Sequence, residues 1–167
     1  MARYSLNVLS QTPAVTAGGG TATTVKYMGL LGGTSTQYLR VNEVQAGGEA
    51  TSGAVIIYRM ARASTNSATN SLSAGATNTL MDAVSTAPAT APAAFNTSTS
   101  PGVISASLVV IRHSFNAYGG LVRWQARQGE EITAYGTAVN LGELDYLGDT
   151  GCSTSATISA HIIYEAV

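Results

Sequence analysis

The side chains best suited to nucleophilic or acid–base chemistry are few in this sequence. Its 167 residues include two histidines, His113 and His161, and one cysteine, Cys152. Nucleophilic catalysis needs a base within hydrogen-bonding reach of a serine or cysteine. Both histidines fall inside strand-like segments, where a single histidine is more typical of a hydrogen-bonded sheet residue than of a base. No G-x-S-x-G motif is present and nothing beside Cys152 would activate it, so we predict no enzyme and no catalytic residue.

Carboxylates that could hold a cation gather in one short segment. The stretch GELDYLGDTG contains Glu143, Asp145 and Asp149. Hard cations such as Ca²⁺ bind where several oxygens converge from one loop. The spacing matches no EF-hand, and apolar residues interrupt it. A solvated turn between strands is therefore favoured over a weak cation site around Asp145 and Asp149, and we predict no metal and no cofactor.

The segment LVRWQAR is the best candidate for a recognition strip. The period of two in a strand places Arg123 and Arg127 on one face and Trp124 on the other. Stacking on sugars or bases would need Trp124 exposed. A tryptophan opposite two arginines is more typical of a core residue, with the arginines facing solvent or a neighbouring subunit.

The elements that must position these residues are predicted to be strands. Apolar and polar residues alternate along most of the chain, and helical spacing is nearly absent. The predicted strand segments are Val25–Leu31, Gln37–Ala46, Ala54–Met60, Val103–Phe115, Gly120–Ala126, Glu131–Val139 and Ser155–Ala166. Glycine-bearing turns separate nearly all of them. The pattern indicates an all-β domain spanning residues 1–167, an antiparallel sandwich or barrel of about eight strands.

Charge is scarce in the sequence. Only 10% of the residues are charged, Lys26 is the single lysine, and the net charge is -1. This near-equal number of basic and acidic residues excludes the electrostatic binding of nucleic acid or of an anionic membrane. The first ten residues have no apolar region typical of a signal peptide, and no run is long enough to span a membrane. A hydroxyl-rich surface could keep such a chain soluble; we favour a surface covered by other subunits, since interface cores are depleted in charge.

One long region departs from the strand pattern. Residues 61–102 are rich in Ala, Ser, Thr and Pro, and Asp82 is the only charge after Arg62. A structureless stretch of this length is uncommon inside a compact domain. It must pack either on the sandwich's own flank or on a neighbouring subunit. We favour the neighbour, with Phe95 as the anchor, because long insertions often serve contacts.

The predicted contact arms are residues 1–20 and 61–102. Together with the arginines of the recognition strip, they supply the predicted interface residues. These are Arg3, Tyr4, Leu80, Met81, Pro88, Pro92, Phe95, Pro101, Arg123 and Arg127.

The order of the sequence blocks resembles a family of virion proteins. The blocks are LRVNEVQAGGEATSGAVIIYRM, an Ala/Thr/Pro-rich stretch, GGLVRWQARQGEEITAY and the final ATISAHIIYEAV. They are similar to the small β-sandwich head decoration (cement) proteins of tailed bacteriophages. RQGEEITAY carries most of the similarity, as a Gly-Glu turn that enters a late strand. No long, charged N-terminal arm of the kind found in some cement proteins is present.

The resemblance implies a jelly-roll-like sandwich, often trimeric, that sits on the capsid and bridges major capsid subunits. The expected partners are other copies of the chain and a major capsid protein, with no nucleic acid and no membrane. The expected location is the capsid surface of the virion, after synthesis in the host cytoplasm. The single cysteine fits such a reducing compartment.

Three alternatives stay open beside the decoration protein. The first is a phage tail or spike component. The second is a carbohydrate-binding sandwich, which needs Trp124 or several tyrosines exposed together: Tyr27, Tyr38, Tyr118 and Tyr135. A hydrolase with an unrecognised site is the least favoured of the three.

Overall fold

Strands account for all the regular structure in the described residues. The computed structural model describes residues 1–13, 15, 25–88, 90, 92–100, 102–136 and 142–167. Twelve strands lie in these ranges, more than the predicted eight or so. They are β1 (Ala2–Gln11), β2 (Val25–Leu31), β3 (Leu39–Glu49), β4 (Val55–Thr65), β5 (Ala68–Ser71), β6 (Ala76–Leu80), β7 (Ala93–Ser100), β8 (Val103–Asn116), β9 (Tyr118–Gln125), β10 (Ile132–Ala134), β11 (Leu144–Gly148) and β12 (Ile158–Ala166).

The strands form two six-stranded sheets that pack on each other. Sheet A has the order β10–β3–β12–β1–β6, and β9 also pairs with β3. Sheet B has the order β5–β7–β2–β11–β4–β8. Every pair of neighbouring strands is antiparallel. The prediction of an all-β, antiparallel sandwich is confirmed at this level.

The main core lies between the sheets and follows from alternation along their strands. In β12 the buried residues are Ile158, Ala160, Ile162, Tyr164 and Ala166, every second position. Tyrosine pairs fill much of the space: Tyr58 and Tyr146 have ring centroids 4.8 Å apart, and Tyr4 stacks on Tyr164 at 5.4 Å. Each large side chain buried in this way contributes about 1.5–3 kcal/mol.

A second, smaller core covers the opposite face of sheet B. It contains Tyr27, Phe95 and Leu147, and Ile104 packs against it. In β11 the side chains of Leu144 and Tyr146 belong to the main core, whereas Leu147 belongs to the second. The strand is therefore buried along its whole length. Central strands covered on both faces show no alternation of polar and apolar residues.

Gly29 makes room for the largest ring of the second core. It pairs with Phe95 of β7 on one side and with Asp145 of β11 on the other. A Cβ atom at Gly29 would overlap the Phe95 ring. Glycine inside a strand often marks such a close approach.

Both predicted contact arms belong largely to the sandwich. Ala2–Gln11 form β1, between β12 and β6 in sheet A. The region 61–102 contains the end of β4 and all of β5, β6 and β7, so it is not the structureless excursion expected. Its hydroxyl side chains do not prevent pairing, because strand pairing uses the backbone N–H and C=O groups. Residues 14 and 16–20 of the first arm lie outside the described residues.

Candidate interaction surface

Four of the predicted interface residues come together at the open edge of sheet A. Tyr4 of β1 pairs with Leu80 of β6, and the Met81 N–H donates to the Arg3 carbonyl oxygen at 2.8 Å. The stacked Tyr4 is buried and Leu80 packs against the main core, so both lie behind the surface. Arg3 and Met81 face outward.

Exposed apolar side chains surround this point. Met1 and Met81 are 78% and 51% exposed, and Val84 in the following turn is 92% exposed. Arg3 and Glu165 form an ion pair at 2.7 Å beside them. We call this surface the rim patch; it consists of Met1, Arg3, Met81, Asp82 and Glu165, which line one shallow depression, and of Val84 in the adjoining turn.

Asp82 fixes the turn that presents Val84. Its carboxylate accepts hydrogen bonds from the Val84 N–H at 2.9 Å and from the Ser85 hydroxyl at 3.0 Å. These bonds, the Val84 N–H first, lower the pKa of Asp82 below its ordinary value. A carboxylate that accepts two such bonds holds the turn in one shape. Val84 therefore points into solvent because of local hydrogen bonding.

The other predicted interface residues lie apart from the rim patch. Pro88 lines a shallow depression with Gln37 and Val167. Pro92 is buried, and Pro101 lies outside the described residues.

Phe95 does not have the predicted role. The expectation was an anchor in a neighbouring subunit, but its side chain is 1% exposed and lies in the second core of its own chain. Its ring meets Tyr27 edge to face, at 5.7 Å between centroids. The ring is already desolvated within the subunit, so it has no apolar area left to offer a partner.

The outer face of sheet A carries a charged cluster around Glu43. Its carboxylate accepts two hydrogen bonds from Arg123, at 2.9 and 2.7 Å, and lies 3.1 Å from the Nε2 atom of His161. The bond from Arg123 is the main cause of the lowered pKa of Glu43. Arg123 is thus half exposed but paired, while Arg127, beyond the end of β9, is exposed.

The three carboxylates of the segment GELDYLGDTG do not converge on one site. Asp149 binds Arg59 at 3.2 Å and Arg112 at 2.6 Å. Glu143 and Asp145 are fully buried in sheet B. The interpretation as a solvated turn is therefore wrong, because this segment includes the central strand β11. Within the described ranges, no three His, Cys, Asp or Glu side chains are grouped to hold a metal ion.

His113 and Cys152 lie in partly or fully buried surroundings. The Nδ1 atom of His113 lies 3.4 Å from the Tyr146 hydroxyl, and burial lowers the pKa of its imidazole. Cys152 is buried, and burial raises the pKa of its thiol. A thiol with a raised pKa is a poor nucleophile at neutral pH.

The aromatic residues considered for sugar binding divide into covered and exposed ones, with Tyr118 and Tyr135 among the exposed. Tyr27 is fully buried, and Trp124 is half-buried against the main core. Tyr38 and Tyr135 do come together, with ring centroids 6.3 Å apart, and the Arg40 guanidinium lies 5.3 Å from the Tyr38 ring centre. Of the four tyrosines proposed, these two form one small aromatic surface.

Comparison with known proteins adds no relative. No protein-family model matches the chain, and no curated protein or solved structure is significantly similar to it. The part of the chain that the structure describes contains no helix able to cross a membrane.

Proposed function

We propose that the chain is a structural virion protein, a capsid decoration (cement) protein that binds and stabilises the major capsid shell. The rim patch is the observation that carries the proposal. It places the exposed apolar side chains of Met1 and Met81 among the polar side chains of Arg3, Asp82 and Glu165, and Val84 is exposed in the adjoining turn. Apolar side chains ringed by polar ones are typical of protein–protein interfaces.

The distribution of charge supports the same function. The chain has eight basic and nine acidic residues in total. Several of them are already paired within the subunit, including Glu43, Asp149 and Glu165. Few charges would have to be stripped of water when the domain is covered by a partner, which lowers the cost of association.

We propose a jelly-roll-like trimer as the form that binds the shell. Light scattering on the purified protein at micromolar concentration is expected to give three times the chain mass of 17.0 kDa. Closed symmetry is the common outcome for assemblies of identical chains. A monodisperse species of single-chain mass would contradict a preformed trimer.

The double substitution Met81→Ser with Val84→Ser is expected to weaken shell binding at least tenfold. Two exposed apolar contacts would be lost, and a buried methionine or valine contributes about 1.5–3 kcal/mol to an interface. The measurement is co-sedimentation of the purified protein with shells of the virus that encodes it. The melting temperature should stay unchanged, because both side chains are exposed in the subunit.

Leu121→Ser supplies the matched control. Leu121 is 66% exposed, like the residues of the rim patch, but lies on β9. The Leu121→Ser protein should bind shells as the unmodified protein does. Equal shell binding by the unmodified protein, the double variant and the Leu121→Ser variant would show that the rim patch does not bind the shell. Binding to tails and not to heads would favour the tail or spike alternative.

A carbohydrate-binding sandwich is the second candidate, favoured by the pair of Tyr38 and Tyr135. An exposed and a half-buried tyrosine beside an arginine are suited to sugar rings and their hydroxyls. Titration with host-surface polysaccharide, followed by tyrosine fluorescence, tests this candidate. Retention by the polysaccharide that is lost in Tyr135→Ala would favour it over shell binding.

A further inference from the structure

Asp145 is buried in a place where an ionised carboxylate has no support. It lies in the middle of sheet B, between Gly29 of β2 and Ala61 of β4, and its side chain has no solvent exposure. Neither carboxylate oxygen receives a hydrogen bond from an N–H or O–H group of the described residues. An isolated buried charge is very costly, so such a group becomes neutral instead.

No described cation compensates this carboxyl group. The nearest arginines of β4 are engaged elsewhere: Arg59 pairs with Asp149, and Arg62 donates to the Thr133 carbonyl oxygen at 2.5 Å. The titratable side chains that face Asp145 are Glu143 of the same strand segment and Tyr27 of β2. Both are acids.

Glu143 has the donors that Asp145 lacks. It accepts hydrogen bonds from the Ser67 N–H and from the Ser67 hydroxyl, both at 2.5 Å. The Ser67 oxygen in turn accepts from the Gly102 N–H at 2.7 Å and lies 2.6 Å from the Tyr27 hydroxyl. Because the Ser67 proton points to Glu143, Tyr27 is the donor in that last bond. Each oxygen of Glu143 thus accepts one hydrogen bond, whereas neither oxygen of Asp145 accepts any from the described residues.

We propose that Glu143 and Asp145 form a buried acid pair that holds one proton, in which neutral Asp145 donates a hydrogen bond to ionised Glu143. Glu143 already accepts hydrogen bonds from Ser67. The single proton of the pair therefore resides on Asp145, whose oxygens receive no hydrogen bond from the described part of the chain. Burial, followed by the charge of Glu143, raises the pKa of Asp145 well above its ordinary value, as this arrangement requires. The proposal is independent of what the surface of the protein binds.

The acid pair makes the fold dependent on a proton. In the unfolded chain Asp145 ionises near its ordinary pKa of about 3.9. In the folded chain it keeps its proton to higher pH, so folding takes up one proton between the two pKa values. The stabilisation is complete below the unfolded pKa and is lost as the pH rises through the folded pKa. The unfolding equilibrium constant should therefore rise by up to about tenfold per pH unit in that window.

Urea unfolding of the full chain between pH 5 and 8 tests the proposal, with Asp145→Asn as the variant. The asparagine amide can donate the same hydrogen bond without a titrating proton. The ratio of the unfolding constants of the unmodified protein and D145N should rise with pH by up to about tenfold per unit. The exposed Asp82→Asn is the control and should keep the slope of the unmodified protein. Parallel slopes for the unmodified protein and D145N would overturn the proposal.

A direct measurement keeps the proposal testable if D145N fails to fold. In protein labelled with ¹³C-aspartate, the Asp145 carboxyl signal should stay at its protonated position at pH 6, while the Asp82 signal has already moved. A signal for Asp145 that titrates with Asp82 would overturn the proposal. So would stabilisation by Ca²⁺ at pH 8 that chelation reverses, since it would assign the pair to a cation.

Discussion

Replacing Phe95 by alanine is expected to lower the free energy of unfolding by about 3–5 kcal/mol. The ring is fully buried in the second core, in contact with Tyr27 and Leu147. Those neighbours belong to β2 and β11, whose backbones are held by strand pairing, so the cavity cannot collapse freely. Urea unfolding followed by circular dichroism measures the change.

Gly29 provides a test of the same packing from the other side. Gly29→Ala puts a methyl group where the Phe95 ring lies and should also destabilise, by about 1–3 kcal/mol. In the double variant the methyl group meets no ring. The free energy of unfolding of the double variant should therefore fall by less than the sum of the losses in the two single variants. Strict additivity would mean that the two residues do not touch. Loss of assembly by Phe95→Ala at an unchanged stability would restore the intersubunit anchor.

Asp149→Ala is expected to lower the free energy of unfolding by about 3–5 kcal/mol, because it leaves a buried arginine without its partner. Arg59 is only 13% exposed in its side chain and Asp149 only 8%. Burial alone would raise the pKa of Asp149, but the Thr150 N–H and the two arginines outweigh it and hold the pKa below its ordinary value. The stabilisation from this group is therefore present at neutral pH and is lost as the pH falls through the folded pKa.

Asp149→Asn separates charge from hydrogen bonding in this prediction. The amide oxygen can keep the 2.8 Å bond from the Thr150 N–H, so the loss should be smaller than in the alanine variant. Asp82→Ala, at an exposed carboxylate, is the control for removing one negative charge. Thermal unfolding at pH 7 compares the three variants. An Asp149→Ala protein as stable as the Asp82→Ala protein would show that Arg59 finds another partner or reaches water.

Strands with a clear alternation were predictable from the sequence. Val25–Leu31 was predicted with the bounds that β2 has, and β8 and β12 differ from their predictions only at their ends. β3 was expected to stop at Gly47-Gly48, but it continues to Glu49. The backbone of Gly48 lies against Ala117, where a side chain would not fit, so Gly48 serves close packing and the glycine pair does not end the strand.

Strands buried on both faces, or made of hydroxyl residues, could not be predicted in this way. β11 contains a carboxylate and a glycine, a composition typical of a turn, and the Ser67 groups that donate to the neighbouring Glu143 lie far away in the sequence. β5 to β7 lack the apolar period of ordinary strands, since among their described side chains only Phe95, Leu80 and two alanines pack against a core. The pairing of Arg3 and Tyr4 with Leu80 and Met81 was likewise hidden, although all four had been singled out individually.

The position of β12 has a consequence for the order in which the protein can fold. Within sheet A, β12 lies between β1 and β3 and pairs with both. Tyr4 faces Tyr164 in that pairing, so the first strand of the sandwich waits for the last one to be made. Until β12 emerges from the ribosome, β1 with β6 and β3 with β9 are two separate ribbons. Contacts so distant in sequence slow the folding reaction, and the nascent chain must keep the unpaired edges of both ribbons from joining those of other chains.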